Sequence, residues 1–348
     1  MMSANGLGAG IARGLEFLRR SQMPSGEFKV YMSPDLSLAR DCVFDSSPFP
    51  AALIAYALGF ADTEEAGDVL DKALRFLLSE MEGPGLWRYW TKRHPGHSTI
   101  PPDLDDISCA SYVLRRHDLP FPPNLELVLA NRTPEGRFYT WMTARWPLPP
   151  VPSFRRVVLS QWLHPFRLYR FWKLEPTRHD VDGVVNANVL FYLGEAPETK
   201  PAVDYLIDIL RRGEEDACDG WYANRFMFYY ALSRNFDAGV AALEEVRGES
   251  VARIVGAAKP DGSIGGGILN TALSVCALLS WRSSPPELDG AVRFLLARQR
   301  EDGAWARASV YYSGPKKIYG WGSEELVTGF CMEALLRYRD AARASRRA

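Results

Sequence analysis

A pair of helical patterns that returns six times constrains this chain more than any other feature. In each copy an amphipathic segment ends in a polar turn carrying Gly and a nearby aromatic or aliphatic side chain. The copies are 14–22 before Gly26-Glu27-Phe28, 73–79 before Gly85-Leu86-Trp87, 125–130 before Gly136-Arg137-Phe138, 203–210 before Gly220-Trp221, 251–257 before Gly262-Ser263-Ile264 and 291–298 before Gly303-Ala304-Trp305. Each is followed by a second segment that is more uniformly apolar, at 50–60, 107–115, 184–193, 226–233, 271–281 and 326–338. A helix with one apolar stripe packs at a surface, whereas one apolar nearly all round is buried. Six outer helices paired with six inner ones close on themselves and leave no exposed end, so the pattern predicts an all-α (α/α)6 barrel, a toroid. No run alternates with period two over any length, so the fold is expected to be all-α.

The expected organisation is one domain over 11–340 with flexible ends at 1–10 and 341–348. An oversized connection at about 139–178 interrupts it, rich in aromatics (Trp141, Trp146, Trp162, Trp172) among prolines and arginines, with a helix-like piece at 155–171. Long connections of this kind are usually functional. A lid or a membrane-facing flap suits the aromatic and Arg interleaving, and an ordinary packed excursion suits it equally.

The 348 residues are 47% hydrophobic and carry a formal charge of −1, enough apolar material for a sizeable core. The 41 basic residues are dispersed and balanced by 42 acidic ones, which gives no footprint for nucleic acid. Five scattered cysteines with no CxxC pair suit reduced core thiols in the cytosol. Neither a signal peptide nor a spanning apolar run is apparent, so a cytoplasmic protein is expected, with peripheral membrane contact through 139–178 as its one membrane option.

The chemistry points to Asp103-Leu104-Asp105-Asp106, three carboxylates where an apolar helix begins after Pro101-Pro102. Acids at a helix start serve as caps and dipole partners. That service does not need three of them: crowded carboxylates repel, and at least one tends to keep its proton. A neutral carboxyl in a dry pocket is a proton donor. The residues alone place that proton somewhere in the trio without choosing a member.

Asp103-Leu104-Asp105-Asp106 fits the DxDD motif of class II terpene cyclases, and Phe294-Leu295 with Gln299, Gly303 and Trp305 is similar to the QW repeats of squalene-hopene cyclase and its relatives. The resemblance runs over nearly the whole chain as a repeat pattern, and it implies the same (α/α)6 barrel. Two departures stand out. Ile107 follows the motif where family members commonly carry Thr, and the chain has length for one barrel rather than two. A single barrel looks more like the cyclase module of fused drimenyl diphosphate synthases, which implies farnesyl diphosphate as substrate and a bicyclic drimane-type product. By the resemblance Asp105 is the general acid, with Asp103 and Asp106 supporting the anion left behind.

Such a reaction needs π-rich walls for a carbocation. Candidates near the starts of the inner helices are Phe138, Trp141, Trp221, Tyr222, Phe226, Tyr230, Trp305, Tyr311, Tyr312, Tyr319 and Trp321; of the Gly-x-Trp type, Trp87, Trp221 and Trp305 are assigned to repeat packing instead. A prenyl diphosphate would be met by Lys316 and Lys317 on a Gly-Pro loop and by Arg225 before an inner helix, with Mg²⁺ bridging its oxygens. Glu215-Asp216-Ala217-Cys218-Asp219 has the look of a metal-binding EDxxD element, and a solvated acidic loop explains it as well. Asn186 and Asn188, on an apolar inner helix, want buried partners that the acid trio can provide. His94 and His97 have no third ligand in register, so no protein-held metal site is assigned.

Three rival readings keep the toroid. A protein prenyltransferase β subunit would need zinc on residues such as Asp216 and Cys218, but no His stands where the last inner helix begins. A non-catalytic isoprenoid-binding toroid would have no use for three acids. A glycoside hydrolase would pair Asp105 with a second carboxylate such as Asp182 across a groove.

Overall fold

The computed structural model describes residues 4–163, 165–166, 169, 173, 179–222, 224–314 and 316–345. Among them the inner helices are Phe49–Leu58, Leu104–Arg116, Gly183–Leu193, Arg225–Asp237, Ile268–Ser280 and Glu324–Ser345. Each packs on the next, and the last packs back on the first, so the ring closes as the repeat predicts. Phe49–Leu58 and Gly183–Leu193 bury almost every side chain, which their lack of a polar face requires.

The outer helices are Ala4–Ser21, Glu64–Glu80, Leu125–Ala130, Lys200–Arg212, Glu244–Gly256 and Pro286–Ala297. Local chemistry sets their ends. The Thr63 side chain accepts from the Ala66 N–H at the start of Glu64–Glu80, with Glu64 and Glu65 in the first turn. Gly213, at φ 69°, closes Lys200–Arg212 behind Arg211 and Arg212.

The QW-like turns are staples between neighbouring repeats. Gln299 Nε2 donates to Gly10 O at 2.9 Å and to Gly303 O at 3.0 Å, and Trp305 Nε1 donates to Leu295 O at 2.7 Å. Gly303, at φ 91°, lies so close to the Arg13 carbonyl that a Cβ there would collide with backbone. Trp87 repeats the device, donating to Leu77 O at 2.8 Å. Both indoles are fully buried and packed into the core.

Three details add to the pattern. Residues 4–10 and 341–345 belong to the first and last helices; at the first, Leu7 and Ile11 continue the apolar stripe and Gln299 bonds to Gly10. A small antiparallel sheet is present, in the order Val43–Phe44, Tyr31–Ser33, Gly320–Gly322, Tyr311–Tyr312. Strands of two or three residues are too short to register as alternation. In the long connection a helix spans Pro152–Ser160, followed by a 3-10 turn at Gln161–Leu163, and the described residues Pro165, Phe166, Tyr169 and Lys173 beyond it are helical too. Phe154 and Val158 anchor it while Trp146, Trp162, Leu163 and Phe166 are exposed; Phe171 and Trp172 lie outside the described residues. No helix among the described residues is long and apolar enough to cross a membrane.

Candidate active site

The acid trio is positioned by its own helix start and by the next repeat. Asp103 is the N-cap of Leu104–Arg116, its Oδ1 accepting from Asp106 N–H at 2.9 Å. Leu104 N–H donates to Thr140 O at 2.8 Å and Met142 N–H to Pro102 O at 2.9 Å, which stitches the motif to the segment carrying Trp141. One of the three carboxylates therefore does perform the capping service. The other two project from the first turn.

Asp105 is the most elaborately held. Tyr222 Oη donates to its Oδ2, and Asn188 Nδ2 donates to its Oδ1 at 2.6 Å. Asn188 is oriented in turn by Arg234, whose guanidinium donates to Asn188 Oδ1 at 2.5 Å. Arg234 is buried on the inner helix Arg225–Asp237, its charge lying 4.4 Å from the Tyr230 ring centroid, 4.8 Å from Phe191 and 5.1 Å from Tyr56.

All three acids hold protons more tightly than free carboxylates do. Burial pushes Asp105 up to about 7, opposed by the Tyr222 bond, reinforced by the nearby charge of Asp103, and opposed again by Asn188 and Arg234. Asp106 is driven well above its ordinary value by burial, then by Asp103 and Asp105. Asp103 is raised by burial and partly restored by its bonds to Asp106 and the backbone.

The trio opens on a cavity whose walls are mostly aromatic: Phe49, Tyr89, Trp90, Trp141, Trp221, Tyr222, Tyr311, Tyr312 and Trp321, with Ile100, Thr140 and Val185. Trp141 and Trp221 meet edge to face at 5.4 Å, and Tyr311 and Trp321 lie nearly parallel at 6.2 Å. No Lys or Arg is among the described lining residues.

Of the residues singled out in sequence, Asp103, Asp105, Asp106, Trp141, Tyr222, Tyr311, Tyr312 and Trp321 come together on this cavity. Several others do not. Asn186 bonds both ways with the Phe138 backbone, at 2.8 and 3.0 Å, so this pair joins repeats rather than lining the cavity. Phe226 packs against Gly265 and Tyr229, and Tyr230 donates to Glu333 at 2.7 Å, both in the core. Tyr319 is half-exposed beside Trp321. Arg225 is bound to Asp216 at the surface, Lys316 is exposed, and Lys317 lies 5.4 Å from the Tyr312 ring.

Trp221, assigned to repeat packing, lines the cavity instead. Asn188 finds the partner its burial demands. Arg234 was missed, although a cation directly after the largely apolar 226–233 segment was a usable signal.

The 215–219 stretch does not fit a metal. Glu215 accepts from Tyr229 at 2.9 Å and pairs with Arg253, Asp216 is held by Arg225, and Asp219 accepts three backbone N–H groups. Cys218 donates to Glu215 O. Asp182 accepts from Thr140 and Gly220 and is not among the cavity's lining residues, so it does not pair with Asp105 across a groove.

The chain superposes on a protein from Actinoplanes with a TM-score of 0.71 at 17% identity, covering 96% of this chain and 99% of that one. It superposes on the type II terpene cyclase MstE from Scytonema, in complex with its substrate geranylgeranyl dihydroxybenzoate, with a TM-score of 0.67 at 16% identity over 97% and 98% of the two chains. For ent-copalyl diphosphate synthase from Streptomyces platensis the values are 0.51 and 17%, over 83% of this chain and 50% of that one. At these identities the likeness is one of fold. No family model matches the chain, and no curated protein matches it in sequence.

Proposed function

We propose that this chain is a protonation-initiated cyclase of linear isoprenoids, with Asp105 as the proton donor. One observation carries the reading: a buried carboxyl, held near neutrality and gripped by Tyr222 and Asn188, faces a cavity walled by aromatic rings. Proton transfer to a trisubstituted alkene leaves a carboxylate and a tertiary carbocation. Tyr222 and Asn188 stabilise the first in place, and the ring faces stabilise the second where water is scarce. Asp103 caps the helix that presents Asp105, and its nearby charge helps hold the Asp105 proton in place until transfer.

The fold likeness to MstE and to ent-copalyl diphosphate synthase supports this class of chemistry. The head group of the substrate is the finer question. Farnesyl diphosphate remains our reading for chain length, but the cavity offers no cation among its described lining residues, so a diphosphate belongs outside it, toward Lys317. A dihydroxybenzoate head, as on the substrate bound in the MstE complex, is the alternative that the same aromatic walls support. The exposed Trp162, Leu163 and Phe166 support peripheral membrane contact for collecting a lipophilic substrate.

Incubation with farnesyl, geranylgeranyl and prenylated aromatic substrates, followed by mass spectrometry, tests the proposal. Cyclised isomers from the wild type and none from Asp105→Asn are expected. Cyclisation retained by that variant removes Asp105 from the role.

A further inference from the structure

Asp45 takes no part in the reading above, yet two tryptophans of the cavity end on it. Trp90 Nε1 donates to both carboxylate oxygens, at 3.0 and 3.1 Å, and Trp321 Nε1 donates to Oδ2 at 2.7 Å. His94 Nε2 lies 3.2 Å from Oδ1, and its ring stacks on Trp90 with centroids 4.9 Å apart. The carboxylate is 6% exposed.

The surrounding chain is fastened. Asp45 N–H donates to Val30 O at 2.9 Å, Ser46 and Thr91 hydroxyls meet at 2.8 Å, and Thr91 N–H donates to Ser46 O at 3.2 Å. The small sheet does the rest. Tyr31–Ser33 pairs with Gly320–Gly322 on one side and with Val43–Phe44 on the other, which brings Trp321 to a residue far from it in sequence.

An indole N–H bonded to an anion leaves its ring more electron-rich, and an electron-rich face attracts a cation more strongly. Buried charge acts over several ångströms because little water screens it. We infer that Asp45 is a positioning residue for the cationic stage of the reaction. It fixes the Trp90 and Trp321 rings in the cavity wall and makes them more negative, so that the wall prefers a positively charged centre to a neutral one of the same shape. The inference rests on the cyclase reading for its use in turnover, whereas the preference for charge is a property of the wall itself.

The probes are an isoprenoid bearing a tertiary amine, protonated at neutral pH, and its uncharged hydrocarbon isostere, each titrated by calorimetry into the full chain. In Asp45→Asn the ratio of amine to isostere affinity is expected to fall roughly tenfold, with recovery in Asp45→Glu. In turnover the same variant shifts product toward prematurely quenched, less cyclised isomers while substrate is still consumed. Should Asp45→Asn not fold, Trp321→Phe, which removes one donor, is expected to lower the ratio in the same direction. An unchanged ratio in whichever variant folds overturns the inference. A wild type that converts no isoprenoid but shows the Asp45-dependent ratio overturns the cyclase reading alone.

Discussion

Asn188 Nδ2 lies 2.6 Å from Asp105 Oδ1, and the carbonyl end of the same amide is taken by Arg234. An amide can be flipped at little cost when both ends see similar partners. Here a guanidinium, which only donates, forces the oxygen toward itself and the NH₂ toward the acid. A fixed positive charge thus acts on the proton donor through one side chain.

Replacing Arg234 by Gln should therefore raise the proton affinity of Asp105. The acid works protonated, so activity falls as pH rises through about 7 in the wild type. In Arg234→Gln the descending limb should move to higher pH while the plateau rate drops, because a weaker acid is protonated over a wider range and transfers less readily. A pH–rate profile with an unmoved limb would count against the relay.

Tyr222→Phe removes the donor to Oδ2 without altering shape. The limb should again shift upward, by about one unit if the bond to a charged acceptor is worth about 1.4 kcal/mol. Substrate affinity should change little, so the loss belongs in kcat rather than KM. The check is a comparison of both constants across pH.

The raised carboxyls also predict how stability varies with pH. Asp103, Asp105, Asp106, Asp182 and Asp219 all bind protons more tightly folded than unfolded. Between the ordinary carboxylate value and the raised ones the native state holds more protons, so stability falls as pH rises through that window. The melting temperature should be higher at pH 5 than at pH 8, and Asp106→Asn should flatten the slope. A melting temperature climbing steadily toward pH 8 would contradict this.

Asn186→Ala separates packing from chemistry. Its amide satisfies the Phe138 backbone in both directions, and leaving those groups unpaired should cost about 1–3 kcal/mol each. Denaturant unfolding should show that loss, while kcat and KM of the folded fraction stay near wild type. A selective loss of kcat would return Asn186 to the active site.

The paired helices, their number and the acid motif at the start of Leu104–Arg116 were determined by the sequence alone, because helical periodicity and N-terminal caps are local physics acting over a few residues. The direction of each aromatic was not. Trp87, Trp221 and Trp305 sit in the same Gly-and-Trp turns, yet two donate to the carbonyl of the preceding outer helix and Trp221 lines the cavity. That choice depends on which neighbouring segment fills the space beside each ring. Asp105 met Tyr222 and Arg234 met Asn188 only when the ring of inner helices closed, and Trp321 reached Asp45 only through a sheet built from both halves of the chain. Contacts between residues so far apart are specified by packing and closure, which no short window of sequence contains.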